Sequence, residues 1–150
     1  MAFVVYRSIG CLAALLLLAV PHAVAQQMVS VSGEEVNLRS GPGTQHPPDW
    51  ILGRGYPLQV VGRRGDWLQV RDFENDKGWI YRRLTSTTAY HIVKVKIANM
   101  RSRPTTSSRI IGKVAHGDTL RTLEHKSGWV KVQREGGLRG WIARRLLWGW

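Results

Sequence analysis

Cysteine is almost missing from this chain: there is one, Cys11, in 150 residues. It falls in an N-terminal segment that reads as removable, so the remainder carries no thiol. That excludes an internal disulfide, a thiol nucleophile and a cysteine-ligated metal from the mature protein. Carboxylates are scarce too, with 10 Asp and Glu against 22 Lys and Arg. Only one extended apolar stretch occurs, Ile9 to Val20, and it falls short of the ~20 residues that cross a bilayer. No transmembrane segment is therefore expected in the mature chain. No apolar stripe of helical period persists over three turns beyond residue 25, which argues against helices. There is no His-x-x-x-His, no Gly-x-Ser-x-Gly, no paired-carboxylate pattern and no glycine loop opening a helix, so hydrolytic, metal and nucleotide sites lack their usual signals. On these grounds the chain reads as non-enzymatic, with no cofactor and no metal. His116 and His125, nine apart, read as a solvated surface pair, since a metal wants three or four ligands.

What is present begins with residues 1–25. One early cation, Arg7, precedes the apolar run, and Pro21 and the small-x-small triplet Ala23-Val24-Ala25 follow it. This is the anatomy of a secretory signal peptide, with cleavage expected after Ala25. Cys11 stands before the apolar run and so cannot serve as a lipoprotein cysteine. The mature chain, 26–150, is expected in the periplasm or outside the cell. Its charge is uneven. Residues 26–86 hold 8 Lys and Arg against 7 Asp and Glu, a net of +1, while residues 87–150 hold 13 against 3, a net of +10. Such asymmetry either points to an anionic polymer or surface as partner of the second half or serves solubility alone. The expected location argues against nucleic acid.

The sequence then repeats itself. Sliding it by 62 residues places Asn37 on Asn99, Arg39 on Arg101, Pro42 on Pro104, Gly55 on Gly117 and Trp67 on Trp129. "GWIYRRL" (78–84) falls on "GWIARRL" (140–146), and from Val36 to Leu84 there are 15 identities in 49 positions. This is a tandem duplication, to be sought before any other feature. Each copy reads as β: alternating Val and Ile in "VKVKIANM", with Lys94 and Lys96 facing away, and paired short strands in "YPLQVVGRRGDWLQVRD" and "DTLRTLEHKSGWVKVQR". Short strands in units of about sixty residues predict an all-β chain of two small barrels, 26–86 and 87–150. Most of Trp67, Trp79, Trp129 and Trp141 are expected to be core or half-buried, Trp79 and Trp141 lying over the backbone of the glycine before them. "NLRSGPGT" and "NMRSRPTT" read as one corner used twice, with Leu38 inward, Asn37 and Arg39 outward, and Gly41 and Gly43 free to take positive φ.

These residues together, "VNLRSGPG", a central glycine, a Gly-x-Trp before an alternating strand and a closing "GWIYRRL", resemble the bacterial SH3 (SH3b) domain. The whole pattern looks most like the proteobacterial branch, in which two copies follow a signal peptide and the protein ends near Leu-Trp-Gly, as "LLWGW" does here. The resemblance implies an SH3-like barrel of five or so strands, generally non-catalytic, used for targeting or interaction, often with peptidoglycan and its peptide stems. In many relatives the barrel sits beside a cell-wall hydrolase domain. The second copy departs from the pattern, since Gly41 and Gly43 become Arg103 and Thr105 and Trp50 meets Gly112.

Two candidate ligand sites emerge. On the first copy, Trp50, Tyr56, Trp79 and Tyr81 could form an aromatic groove with Arg82 and Arg83 beside it. On the second, Lys94, Lys96, Arg101, Arg103, Arg109, Lys113, Arg144 and Arg145 could form a cationic face. Arg39 and Arg101 read either as anion clamps, which the guanidinium fork suits, or as parts of the corner; the corner reading is preferred. The function expected is an exported cell-envelope-binding protein, its partner peptidoglycan or another anionic wall polymer. The alternative is an interaction adaptor docking on an acidic envelope protein.

Overall fold

The computed structural model describes residues 26–150; the expected signal peptide lies outside the described residues. The described residues are all-β, with fourteen strands in two sheets of seven. In the first copy these are β1 (Met28–Val31), β2 (Val36–Arg39), β3 (Pro48–Leu52), β4 (Pro57–Arg64), β5 (Trp67–Arg71), β6 (Lys77–Tyr81) and β7 (Thr85–Ser86). In the second they are β8 (Tyr90–Val93), β9 (Ile97–Arg101), β10 (Ile110–Ala115), β11 (Thr119–Lys126), β12 (Trp129–Gln133), β13 (Arg139–Ala143) and β14 (Leu147–Gly149). A single 3-10 turn precedes the last strand of each, Arg82–Leu84 and Arg144–Leu146. Strand orders β3-β2-β6-β5-β4-β1-β7 and β10-β9-β13-β12-β11-β8-β14 are the same order written twice. No helix among the described residues is long and apolar enough to cross a membrane.

Alternation explains how each sheet becomes a barrel. β5 and β12 both read half-buried, buried, half-buried, buried, half-buried, turning Leu68 and Val70, or Val130 and Val132, to one side. Inward residues from β1 to β6, among them Val29, Leu38, Leu52, Leu58, Val70 and Ile80, fall into one cluster. A sheet whose strands all contribute to one core must curl around it. A second, separate cluster does the same for the second copy, centred on Met100, Leu120, Val130 and Ile142. Bulges at Val60/Gly62 and Thr122/Glu124, again equivalent, let the eight-residue strands β4 and β11 bend from one side of the barrel to the other.

Three local readings are corrected. Gly41 does not take positive φ; a Cβ there would come within 2.6 Å of the His46 ring, so the glycine makes room for the side chain that closes the corner. Gly78 faces inward between exposed Lys77 and half-buried Trp79, and its missing Cβ leaves space for Leu38, not for an indole. Lys94 is not on a strand: Lys94–Lys96 form the bend between β8 and β9, so strand alternation does not set the direction of these lysines. The corner itself folds as expected, with Val36 and Leu38 buried and Asn37 exposed.

The two barrels touch through side chains, not through the linker alone. Thr85 and Ser86 join the first sheet as β7, and Ser30 Oγ donates to the Thr88 carbonyl at 2.8 Å. Tyr90 packs so tightly on Gly55 that a Cβ at Gly55 would meet its ring at 2.5 Å. Phe73 lies 5.3 Å from the ring of His116, whose Nε2 is 3.8 Å from the Glu74 carboxylate.

Candidate functional site

The outward residues of β2, β5 and β6 make the first groove. Trp67 and Tyr81 are register partners on neighbouring strands, their rings tilted at 51° with centroids 5.5 Å apart. Both line a groove of about 710 Å³ whose other walls include Glu35, Asn37, Arg39, Thr44, Gln45 and Leu84. The aromatic pair is therefore Trp67 with Tyr81, not the set expected from sequence. Trp67 is half-buried and turned outward, a position that the motif, read as core architecture, did not disclose.

The other expected aromatics stand elsewhere. Trp50 is 57% exposed on β3, the edge strand of its sheet. Tyr56 packs against the core and its hydroxyl donates to Asp72 at 3.2 Å; burial, then the Asp72 charge, pushes the phenol well above its usual range. Trp79 is the register partner of Gln69 and of Arg39. Asp72 is in turn held by the backbone N–H groups of Glu74 and Asp76, each at 2.9 Å, so its carboxylate closes the β5–β6 turn. Together with Glu74 and Asp76 it forms an acidic cluster, a grouping that sequence reading passed over.

The duplicated arginines hold the corners. Arg39 Nη1 donates to the His46 carbonyl at 2.7 Å, and Arg101 Nη1 to the Ser108 carbonyl at 2.8 Å. Arg103 belongs to the second corner itself, its amide and carbonyl both bonded to the Ser108 hydroxyl. Arg82 pairs with Asp66 at 3.2 Å.

A second groove, also of about 710 Å³, lies on the second barrel and contains Trp129, the duplicate of Trp67. Its wall includes Ala143 where Tyr81 stands in the first, and it gains Lys94, Arg144, Arg145, Trp148 and Trp150. β14 pairs with β8 through Trp148 and Ile92, which fixes this wall to the barrel. Beneath it lies His91, only 1% exposed, with Nδ1 2.7 Å from Thr122 Oγ1. Burial, helped by His125 and Arg144, lowers the His91 pKa to about 4, against the raising effect of a hydrogen bond to the Trp150 backbone. His125 lies 5.5 Å from the His91 ring, whereas His116 packs on Phe73 of the other barrel; the two histidines expected as a pair serve different contacts. A third, polar cleft of about 570 Å³ lies at the seam, between Glu34 and Arg54 on one side and Tyr90, Arg121 and Arg134 on the other.

Comparison with known proteins gives matches for both copies. One family model described as bacterial SH3 domain matches residues 32–87, and another of the same description matches residues 97–147. A curated relative from Bacillus subtilis (strain 168), provisionally named N-acetylmuramoyl-L-alanine amidase YrvJ, is 28% identical over 134 residues, 82% of this chain. The chain spans 26% of that relative's length. Among solved structures, NlpC2 from Trichomonas vaginalis shares 19% identity at TM-score 0.37, covering 82% of this chain and 48% of that one. An NlpC/P60 family protein from Bacillus cereus shares 14% at TM-score 0.35, covering 83% and 56%. The amidase name overturns the sequence expectation of a non-enzymatic chain: the relative carrying a stretch like this one is named as an enzyme. Motif counting within 150 residues had no access to that context.

Proposed function

The chain belongs to the bacterial SH3 domain family, and we propose that it is an exported protein whose barrels, 26–86 and 87–150, hold amidase-type wall cleavage against peptidoglycan or another anionic wall polymer. The observation that carries this reading is the pair of outward-facing grooves built on one duplicated indole, Trp67 and Trp129. An indole face turned to solvent suits the apolar face of a sugar or a peptide stem. The first groove sets Glu35 and Arg39 beside its aromatic pair, so it offers one group of each sign, which fits a peptide stem bearing both ammonium and carboxylate. The net +10 of residues 87–150 adds attraction to an anionic wall that falls with salt.

Cosedimentation of the protein with purified sacculi at rising salt tests the reading. Retention at physiological salt above that of an unrelated protein of equal charge is expected, and Trp67→Ala should reduce it. Retention equal to the control removes the wall as ligand, and a single stoichiometric protein crosslink in cells would then favour the adaptor. Release of new amino groups from the retained sacculi is the matching assay for the amidase-type role; intact sacculi would remove that role alone.

A further inference from the structure

The second groove overlaps the place of the first in the repeat through Thr106, Trp129 and Ala143, and continues over the turn at Arg144 and Arg145 and along β14. In the first barrel, Asp66 pairs with Arg82 at 3.2 Å. The position equivalent to Asp66, 62 residues on, is Gly128. The backbone around it has not changed: the Arg82 amide donates to the Asp66 carbonyl at 2.8 Å, and the Arg144 amide to the Gly128 carbonyl at 2.9 Å. Arg144 thus occupies the same place in the fold as Arg82 with its acid deleted. Glu35, which lines the first groove, is replaced by Ile97, which lies outside the lining of the second. Ser32 becomes Lys94, which lines the second groove. Among the described residues, Lys94, Arg144 and Arg145 have no carboxylate within 4.0 Å, and no acidic side chain lines this groove. His91, held neutral by burial at ordinary pH, adds no charge of its own.

The aromatic wall has been rebuilt as well. Ala143 removes the partner that Tyr81 gives Trp67, and Trp148 and Trp150 stand where the first barrel has Ser86 and Thr88. Loss of one acid, at Gly128, gain of a cation and gain of two indoles all act on one groove. Solubility alone would spread charge over the surface and would not require indoles beside it. Guanidinium groups without a local acid are set to take a carboxylate or phosphate, with charge-assisted hydrogen bonds stronger than neutral ones.

We propose that the second groove is a site for an anionic glycan. Lys94, Arg144 and Arg145 receive its carboxylate or phosphate, and the indoles of Trp129, Trp148 and Trp150 receive the apolar face of the sugar ring. The first groove, with Glu35 in its wall, does not take this ligand. The proposal rests on the wall-binding reading above and gives the two barrels different ligands.

Calorimetry on the whole protein at 0.15 M salt, about the physiological ionic strength, tests it with three probes: trigalacturonate, a phosphorylated trisaccharide and neutral galactotriose. Binding of either acidic probe at least about tenfold tighter than the neutral one is expected, and the better of the two identifies the anion. Arg144→Gln/Arg145→Gln should weaken the acidic probe by about tenfold or more, the loss expected when charge-assisted hydrogen bonds are removed. Lys77→Gln/Arg139→Gln, an equivalent exposed pair outside both grooves, removes the same charge and should change it less than about threefold. Equal weakening by both double variants, or equal binding of neutral and acidic probes, overturns the proposal. Sacculus retention of the wild-type protein separates the two claims. Retention without acidic-probe binding sinks the second-groove site alone, whereas no retention with acidic-probe binding sinks the wall reading and leaves the site standing.

Discussion

Arg39 donates its guanidinium to the carbonyl of His46, seven residues along the same corner, at 2.7 Å. The duplicate bond, Arg101 to Ser108, is 2.8 Å. Different side chains at the accepting residue leave the bond intact because only its carbonyl takes part. The repeat of Asn-x-Arg-Ser-x-Pro-x-Thr is thus the repeat of a clamp on the chain's own backbone. Arg39→Lys should cost about 1–3 kcal/mol of stability by urea unfolding, since Nη1 makes both corner bonds, to the Thr44 and His46 carbonyls, and the lysine ammonium sits on a shorter stem. Unchanged stability would contradict the clamp.

Leu38 and Gly78 share one space inside the first barrel, since a Cβ at Gly78 would sit 2.5 Å from Leu38 Cγ. Gly78→Ala is expected to destabilise by about 1–3 kcal/mol through overpacking. Leu38→Ala should cost about 2–5 kcal/mol through the cavity it leaves. The double variant should then be less destabilised than the sum by at least about 0.5 kcal/mol, because the alanine at 78 fills part of that cavity. Strict additivity in thermal or urea unfolding would contradict this packing.

His91 links the second barrel to acidity. Its pKa in the folded chain is lowered to about 4 by burial and the neighbouring His125 and Arg144, while in the unfolded chain it titrates near ~6.5. Between those values the unfolded state binds more protons, so the stabilising effect of a neutral His91 is present in full above pH ~6.5 and is lost as pH falls towards 4. The loss should reach about 3 kcal/mol and should shrink in His91→Gln, as followed by unfolding at stepped pH. A wild-type stability that is flat across this range would show that the ring is not sequestered under β14.

Much of the fold could be read from the residues because the duplication doubles every signal. Gly55 and Gly117 align in sequence and both take positive φ, 80° and 85°; Leu38 and Met100 align and are both fully buried. What escaped was direction. Trp67 follows a turn and begins an alternating strand, as a core residue would, and only the register with Tyr81 shows it facing out. Tyr56 was expected to bind ligand, yet a strand apart in the fold it meets Asp72, a contact no local spacing announces. Lys94 and Lys96 alternate with valines in sequence but sit in a bend, where the period of two has no meaning. The clustering of Arg144 with Trp148 and Trp150 depends on β14 returning to β8.

The most direct measurement is a two-dimensional NMR titration of the protein with soluble muropeptides, following the indole N–H resonances. The Trp67 signal should shift saturably and before those of Trp50 and Trp79, with Trp67→Ala removing the saturable response. Saturable shifts confined to Trp50 or the seam, or no shifts at concentrations where sacculi retain the protein, would contradict ligand recognition through the first groove.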